Sequence, residues 1–466
     1  MAELRRDSLS FAEALGQSVA NVSPTFTPAL AVSVVAGLAG TASWLVYLFA
    51  TVALIIVGVN ISKLAARIPS AGSFFIYVSR SIGPSWGLLS GWAMLLAYIT
   101  TAMSLSVATS IFVKTLLTAL GLTFVVPNTL LYFVISTLIF VLAYRDMRLS
   151  SRLGLTLEAI SMVAILAVCF ATWAHYGYAV DVKQTHLVGA DLKSVGQACV
   201  FAIFSYVGFE SASTLGRETR NPNTAIPRAV ILTPIVAGLF FMFTTYVITL
   251  GFGDDATKLG ASGTPLSDIT TSMSVLATVV VYVGAAISAF ACALASLNAF
   301  SRMLFSLGRY QLVHRTMGMV HSGRQTPYTA LVVGALINFG VLTAFAGRAE
   351  SDMVGYYGTI ATFGFVFVYF LCSICAPVLM RKTGSVSARD WLLGGLGALL
   401  MVVALIGSVY PVPDYPNNIW PYLFIAYMLI GLVWFFVLKA RMPQTLLGIE
   451  HDLETVEMPH YGKIEI

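Results

Sequence analysis

Apolar residues along this chain gather into long runs separated by short polar segments, at 12–39, 43–68, 86–113, 123–143, 150–177, 196–215, 229–252, 272–305, 328–347, 352–379, 391–410 and 418–438. A helix needs about 20 apolar residues to cross roughly 30 Å of hydrocarbon. The pattern therefore predicts an all-α integral membrane protein with twelve transmembrane helices. Two of the runs are interrupted. The first contains Asn21-Val22-Ser23-Pro24-Thr25-Phe26-Thr27-Pro28, where two prolines remove backbone donors and break helical geometry. The sixth is broken around Tyr206-Val207-Gly208. Either break alone reads more readily as a plain kink. Paired at the first helix of two five-helix halves, one to five and six to ten, they point to a transporter built from inverted repeats. Five spans separate the breaks, so the halves have opposite topology.

Composition agrees with a membrane location. Of 466 residues, 58% are hydrophobic and 10% charged, against about 25% charged in soluble domains, and the mean hydropathy is +0.85. Lys and Arg concentrate in cytoplasmic loops. With both termini inside, 21 basic residues fall on the cytoplasmic side and five on the other, Lys114, Lys183, Lys193, Lys258 and Arg348. The net charge of +5 is then a cytoplasmic collar and calls for no nucleic-acid partner. The first apolar run is too long and too broken by proline for a cleavable signal peptide.

The expected organisation is a cytoplasmic N-terminal segment over 1–10, a ten-helix transport core over 11–380, two further spans over 381–440, and a cytoplasmic tail over 441–466. All five cysteines fall inside predicted spans, where a free thiol behaves as a small hydrophobe. Cys372 and Cys375 form a CxxC that reads as packing. No histidine sits mid-span, so no metal or other cofactor is expected. The expected surroundings are lipid and a small-molecule substrate, in a monomer or homodimer in the cell membrane.

Three stretches resemble the amino acid-polyamine-organocation family of permeases. The first is Ile68-Pro69-Ser70-Ala71-Gly72-Ser73-Phe74-Phe75-Ile76-Tyr77, with Gly83-Pro84 and Gly91-Trp92 after it. The second is Gly208-Phe209-Glu210-Ser211 through Glu218, Asn221-Pro222 and Ile226-Pro227-Arg228. The third runs from Asn298 and Arg302 through Gly308-Arg309 to Thr326-Pro327. The resemblance implies the five-plus-five, LeuT-type fold with broken helices 1 and 6, and transport as the activity. Unwound backbone survives in a membrane only where it lines protein or a wet cavity. Freed N–H groups at a half-helix start suit a carboxylate, and freed carbonyls suit an ammonium.

Many members of that family carry Gly-x-Gly in the first break, where this chain has Val22-Ser23-Pro24. Pro24 has no N–H and Val22 crowds the approach, so the cradle falls to Ser23, Thr25, Phe26 and Thr27, by main chain and hydroxyl. That departure keeps a polyamine or other organic cation open beside an amino acid. From the second break the candidates are Phe204, Ser205, Tyr206, Val207 and Gly208. The resemblance implies a gating role for Phe204 and places Phe300 beneath the substrate, where a ring can cover a cation. Tyr98, Thr101 and Tyr357 are chosen by helical face alone.

Past the first residue of each run, three acids lie within the predicted spans, Glu13, Glu158 and Glu210, and such residues are functional candidates by default. Glu13, at the start of the first helix, reads as a partner of its N-terminal dipole. Glu210 follows the second break directly, and the resemblance implies binding or proton-linked gating. The alternative is a carboxylate that accepts hydrogen bonds from unwound backbone. Proton-coupled relatives often place a lysine in the fifth helix where this chain, aligned on Ser150-Ser151-Arg152, has Ser161. Glu158 lies three residues earlier on the same face, either as the titrating group or as a bond to a neighbouring helix.

The leading expectation is a secondary transporter of amino acids driven by protons or exchange, with a polyamine or organic-cation permease as its rival. No nucleophile-base pair argues for an enzyme, and no G-x(4)-G-K-[ST] argues for ATP-driven transport. A substrate-sensing receptor on the same scaffold is the competing reading from another class.

Overall fold

A computed structural model describes residues 9–441 apart from 69–72, 123–125, 146, 189, 191, 217, 272–273, 322–325, 411 and 413–414. Pro69 to Gly72 and Arg217, and most of both termini, thus lie outside the described residues, as do the side chains of Ser150 to Arg152. The chain begins with α1 (Phe11–Val22), a π-helical turn over Thr27–Ala31, α2 (Val32–Ala39), α3 (Ser43–Ala65), α4 (Ser73–Ile82), α5 (Pro84–Ala119), α6 (Asn128–Arg145) and α7 (Met147–His175). After the short α8 (Val182–Thr185) come α9 (Leu192–Phe204), a 3-10 turn over Ser211–Leu215 and α10 (Pro222–Gly251). Two short helices, α11 (Ala256–Ala261) and α12 (Pro265–Thr271), lead to α13 (Val275–Arg309), α14 (Tyr328–Ala344), α15 (Glu350–Lys382), α16 (Ala388–Val409) and α17 (Trp420–Arg441).

Nine helical stretches among the described residues are long and apolar enough to cross a membrane, and Phe11–Ala65, which holds the first break, counts as one of them. Tyr328–Ala344 is a shorter apolar helix. The chain is thus a multi-pass, all-helical membrane protein. Its one strand-like pairing among the described residues is an isolated bridge between Leu9 and Thr219.

The long helices sort into an inner and an outer set. The most apolar windows of α5 and α15 are 83% and 78% buried, against 22% for α16 and α17, so the last two helices stand at the periphery. Close crossings are made with small residues, as expected where lipid offers no hydrophobic drive between helices. A Cβ on Gly364 of α15 would meet Ala93 O of α5 at 2.8 Å, and one on Gly238 of α10 would collide with Thr51 Oγ1 of α3. On the outer faces Ile160, Val163, Leu239, Leu392 and Ile430 are exposed, an apolar surface that hydrocarbon covers.

The polar ends are pinned. Ser10 and Glu13 form a reciprocal capping box at the start of α1, in keeping with Glu13 as a helix-terminus partner. Leu9 N–H donates to Glu218 O at 2.8 Å and Arg220 N–H to Leu9 O at 2.7 Å. Beside this bridge the Arg302 guanidinium of α13 grips the Glu218 carboxylate through Nε at 2.8 Å and Nη2 at 3.0 Å, both side chains buried. At the start of α16, Ser387 and Asp390 form a second capping box, and Lys63 Nζ of α3 meets Asp390 Oδ1 at 2.6 Å, which fixes the entry of this peripheral helix against the core.

Candidate functional site

Both sequence-predicted breaks are present in the backbone. In the first, α1 ends at Val22 and Ser23 takes a left-handed conformation with φ of 51°. Pro24 follows without an N–H, and the chain re-enters a helix only through the π-helical turn at Thr27. In the second, α9 ends at Phe204 and the chain passes through successive turns to Glu210 before the 3-10 turn. Gly208 has φ of 92°, and a Cβ there would collide with Asn21 Nδ2. Glycine is required on both counts, by backbone conformation and by the approach of the first break.

Asn21 joins the two breaks. Its Nδ2 donates to Gly208 O at 3.5 Å, its Oδ1 accepts from the Ser296 hydroxyl of α13, and its backbone carbonyl accepts from Cys292 Sγ at 2.9 Å. Just before the break, Gln17 Nε2 donates to Ala295 O at 3.1 Å, and Ser18 Oγ accepts from Ala212 N–H at 3.0 Å.

Each break has its own buried carboxylate. Thr25 N–H, freed by the unwinding, donates to Glu158 Oε1 of α7 at 3.0 Å. Ser23 Oγ pairs with Ser288 Oγ of α13 at 2.7 Å. Glu158 Oε2 and the hydroxyls of Thr25 and Thr27 are buried without a well-formed hydrogen bond among the described residues, although the Ser288 and Thr25 hydroxyls lie beside the Glu158 carboxylate. Buried polar groups are nearly always satisfied, so a cluster of orphans calls for an explanation. Glu210 instead accepts from the Tyr98 hydroxyl of α5 at 3.1 Å through Oε1, and from the Tyr369 hydroxyl of α15 through Oε2.

A cavity of about 560 Å³ opens on one side of the breaks, between α2, α9, α15 and α16. Of the candidate site residues, Phe26 and Phe204 line it. Their rings meet edge to face with centroids 6.3 Å apart, and a Cβ on Gly358 of α15 would lie 2.7 Å from the Phe204 ring.

The remaining candidates separate by position. Val22, Ser23, Thr25 and Thr27 are buried in the first break, and Ser205, Val207 and Gly208 in the second. Tyr206 points into packing: its ring lies 4.9 Å from Phe241 and its hydroxyl pairs with Thr51 Oγ1 at 2.7 Å. Phe300 stands apart from the cavity, with ring atoms 2.9 and 3.0 Å from where a Cβ on Gly334 of α14 would lie. Thr101 Oγ1 donates to its own helix at Ala97 O, 2.8 Å away. Tyr98 serves Glu210, and neither it nor Tyr357 lines the cavity. Sequence reasoning did not find Tyr369 or Ser288, and it assigned no role to Asn21. An asparagine within an apolar run was the one available signal; Tyr369 and Ser288 are placed by tertiary contact alone.

The model of the amino acid permease family matches residues 15–442. The chain is 26% identical to the low-affinity putrescine importer PlaP of Escherichia coli over 64% of its own length and 70% of that protein. It is 23% identical to the branched-chain amino acid permease BcaP of Bacillus subtilis, over 74% of this chain and 75% of the relative. With the glutamate/serine transporter AimA of Bacillus subtilis it shares 22% identity over 87% of this chain and 77% of the relative. With two broken helices facing one another and a family match over nearly the whole chain, the protein is a membrane transporter that belongs to the amino acid permease family of the amino acid-polyamine-organocation superfamily.

Proposed function

We propose that this protein is a secondary transporter of amino acids, with twelve spans, a five-plus-five inverted repeat and its substrate site between the two breaks. The observation that carries the reading is the facing pair of unwound segments tied through Asn21 and Gly208, each with a buried carboxylate beside it. Unwound backbone and unpartnered hydroxyls at Thr25 and Thr27 are suited to the charged ends of a zwitterion. Phe204, at the edge of the cavity, serves as the gate.

The proposed driver is a proton or a counter-substrate. Glu158 holds the first break by one oxygen and leaves the other unpartnered, so its charge state bears directly on how firmly Thr25 is tethered. Glu210 stands in the same relation to α5 and α15 through its two tyrosines. A polyamine as substrate is the second reading. It is favoured by Pro24, which removes a donor, by the Thr25 amide being taken up by Glu158, and by the likeness to PlaP, a putrescine importer.

Flux is the test. Reconstituted protein is expected to move labelled amino acid into liposomes when a pH gradient is imposed or counter-substrate is preloaded. Ligand-induced thermal stabilisation with no flux under either condition would identify a sensor and overturn the transport reading.

A further inference from the structure

A solute that reaches the breaks from the open side crosses a chamber whose lining, among the described residues, contains no charged side chain. Its walls include Leu30, Val34, Phe201, Val354 and Val366, together with Phe26 and Phe204 from the two breaks. Two hydroxyls on the α15 wall are committed to their own helix, Thr359 Oγ1 donating to Gly355 O and Thr362 Oγ1 to Gly358 O, each at 2.8 Å, and the uncharged polar groups of Ser33, Ser351, Ser408 and Asn417 complete the polar part of the lining. Within the breaks themselves, no Lys, Arg or His occurs in 22–27 or 204–208. The two carboxylates at that depth are engaged. Glu210 holds two tyrosine hydroxyls, and Glu158 holds the Thr25 amide and keeps one free oxygen.

A charged group brought into such surroundings loses hydration that only a partner of opposite charge returns. A dicationic polyamine needs two anionic partners in direct contact, and of the two carboxylates only Glu158 has an oxygen open to it, both oxygens of Glu210 being taken by tyrosine hydroxyls. An anionic side chain meets no cation among the described residues of the cavity lining or in the two unwound segments. An apolar side chain needs neither, and it gains by leaving water for the aromatic and aliphatic walls. We infer that the substrate is an amino acid whose side chain is uncharged and apolar, seated against Phe26 and Phe204 while its α-charges face the unwound backbone. The inference rests on the transport reading above and sharpens it.

Full-length protein in proteoliposomes, given labelled leucine, glutamate and putrescine in parallel, tests it. Leucine uptake is expected to exceed the other two by at least about tenfold, a margin of ~1.4 kcal/mol, and leucine alone of the three is expected to raise the melting temperature. Faster uptake of putrescine or glutamate would overturn the inference and leave the transport reading standing. Absence of both uptake and stabilisation across the standard amino acids and common polyamines would overturn the transport reading as well. A second arm places a carboxylate in the wall with Thr359→Asp, at a half-buried position, and Thr362→Asp. Either variant that remains monodisperse is expected to raise the putrescine-to-leucine uptake ratio by about tenfold or more. An unchanged ratio in such a variant would put the cavity off the substrate path and sink the inference.

Discussion

Glu210 and Glu158 are both buried carboxylates beside a break, yet the structure holds them differently. Glu210 sits between two tyrosine hydroxyls from α5 and α15, so it ties three segments together, and it is not among the residues that line the cavity. Glu158 grips the backbone amide of Thr25 directly. Substituting Gln for Glu210 preserves shape and most of the hydrogen bonding, and charge-assisted bonds of this kind contribute about 1.5–3 kcal/mol each. We therefore expect Glu210→Gln to fold, with a melting temperature a few degrees lower, while its transport rate falls and its pH profile flattens. Wild-type rate with an unchanged profile would confine Glu210 to a structural part. That both acids lie buried among the helices was legible in the sequence, because a carboxylate in an apolar run is conspicuous. What each one holds was not, since Tyr98, Tyr369 and Thr25 lie 112, 159 and 133 positions away from their carboxylate partners and only tertiary packing brings them together.

At the scale of elements, the two broken helices were the most legible feature, because Pro24, Pro28 and Gly208 state a local backbone preference that tertiary context has no reason to override. The sequence also marked Glu218 and Arg302 as motif residues without linking them. The fold joins them in a buried two-pronged ion pair next to the bridge between Leu9 and Thr219, which fastens the chain ahead of α1 to the segment that follows the second break. Removing one member of a buried pair leaves the other charge without compensation, at a cost of about 3–5 kcal/mol, whereas replacing both with apolar groups is often neutral. Glu218→Gln alone is therefore expected to lower the melting temperature markedly, and the double change Glu218→Met with Arg302→Met to recover much of the loss. A single variant as stable as wild type would show that the pair carries little of the stability at this end of the molecule. Phe300 illustrates the limit of reading by resemblance. It lies on α13, and its ring occupies the space over Gly334, a direction that no motif records.

For the whole molecule, the open question is what drives the cycle, and the oxygens around the first break bear on it. A bound sodium ion needs several oxygen ligands converging in one place, as hard cations do generally. Here the two hydroxyls best placed to contribute, on Ser23 and Ser288, are paired with each other at 2.7 Å, Ser296 is bonded to the Asn21 side chain, and one oxygen of Glu158 is taken by the Thr25 amide. What remains among the described side chains is one oxygen of Glu158 with the hydroxyls of Thr25 and Thr27, a set that serves a proton, which needs one partner, better than a hard metal ion, which needs about six or more. The proposal is accordingly sodium-independent transport, with the charge of Glu158 setting how tightly α7 holds the unwound end of α1. In proteoliposomes at fixed pH, replacing sodium with potassium or choline should leave the initial rate of uptake nearly unchanged, while Glu158→Gln should abolish the response to an imposed pH gradient. A large loss of rate on removing sodium would mean that Ser23, Ser288 and the free oxygen of Glu158 rearrange into a cation cage during the cycle, and the proton-driven scheme would have to be abandoned.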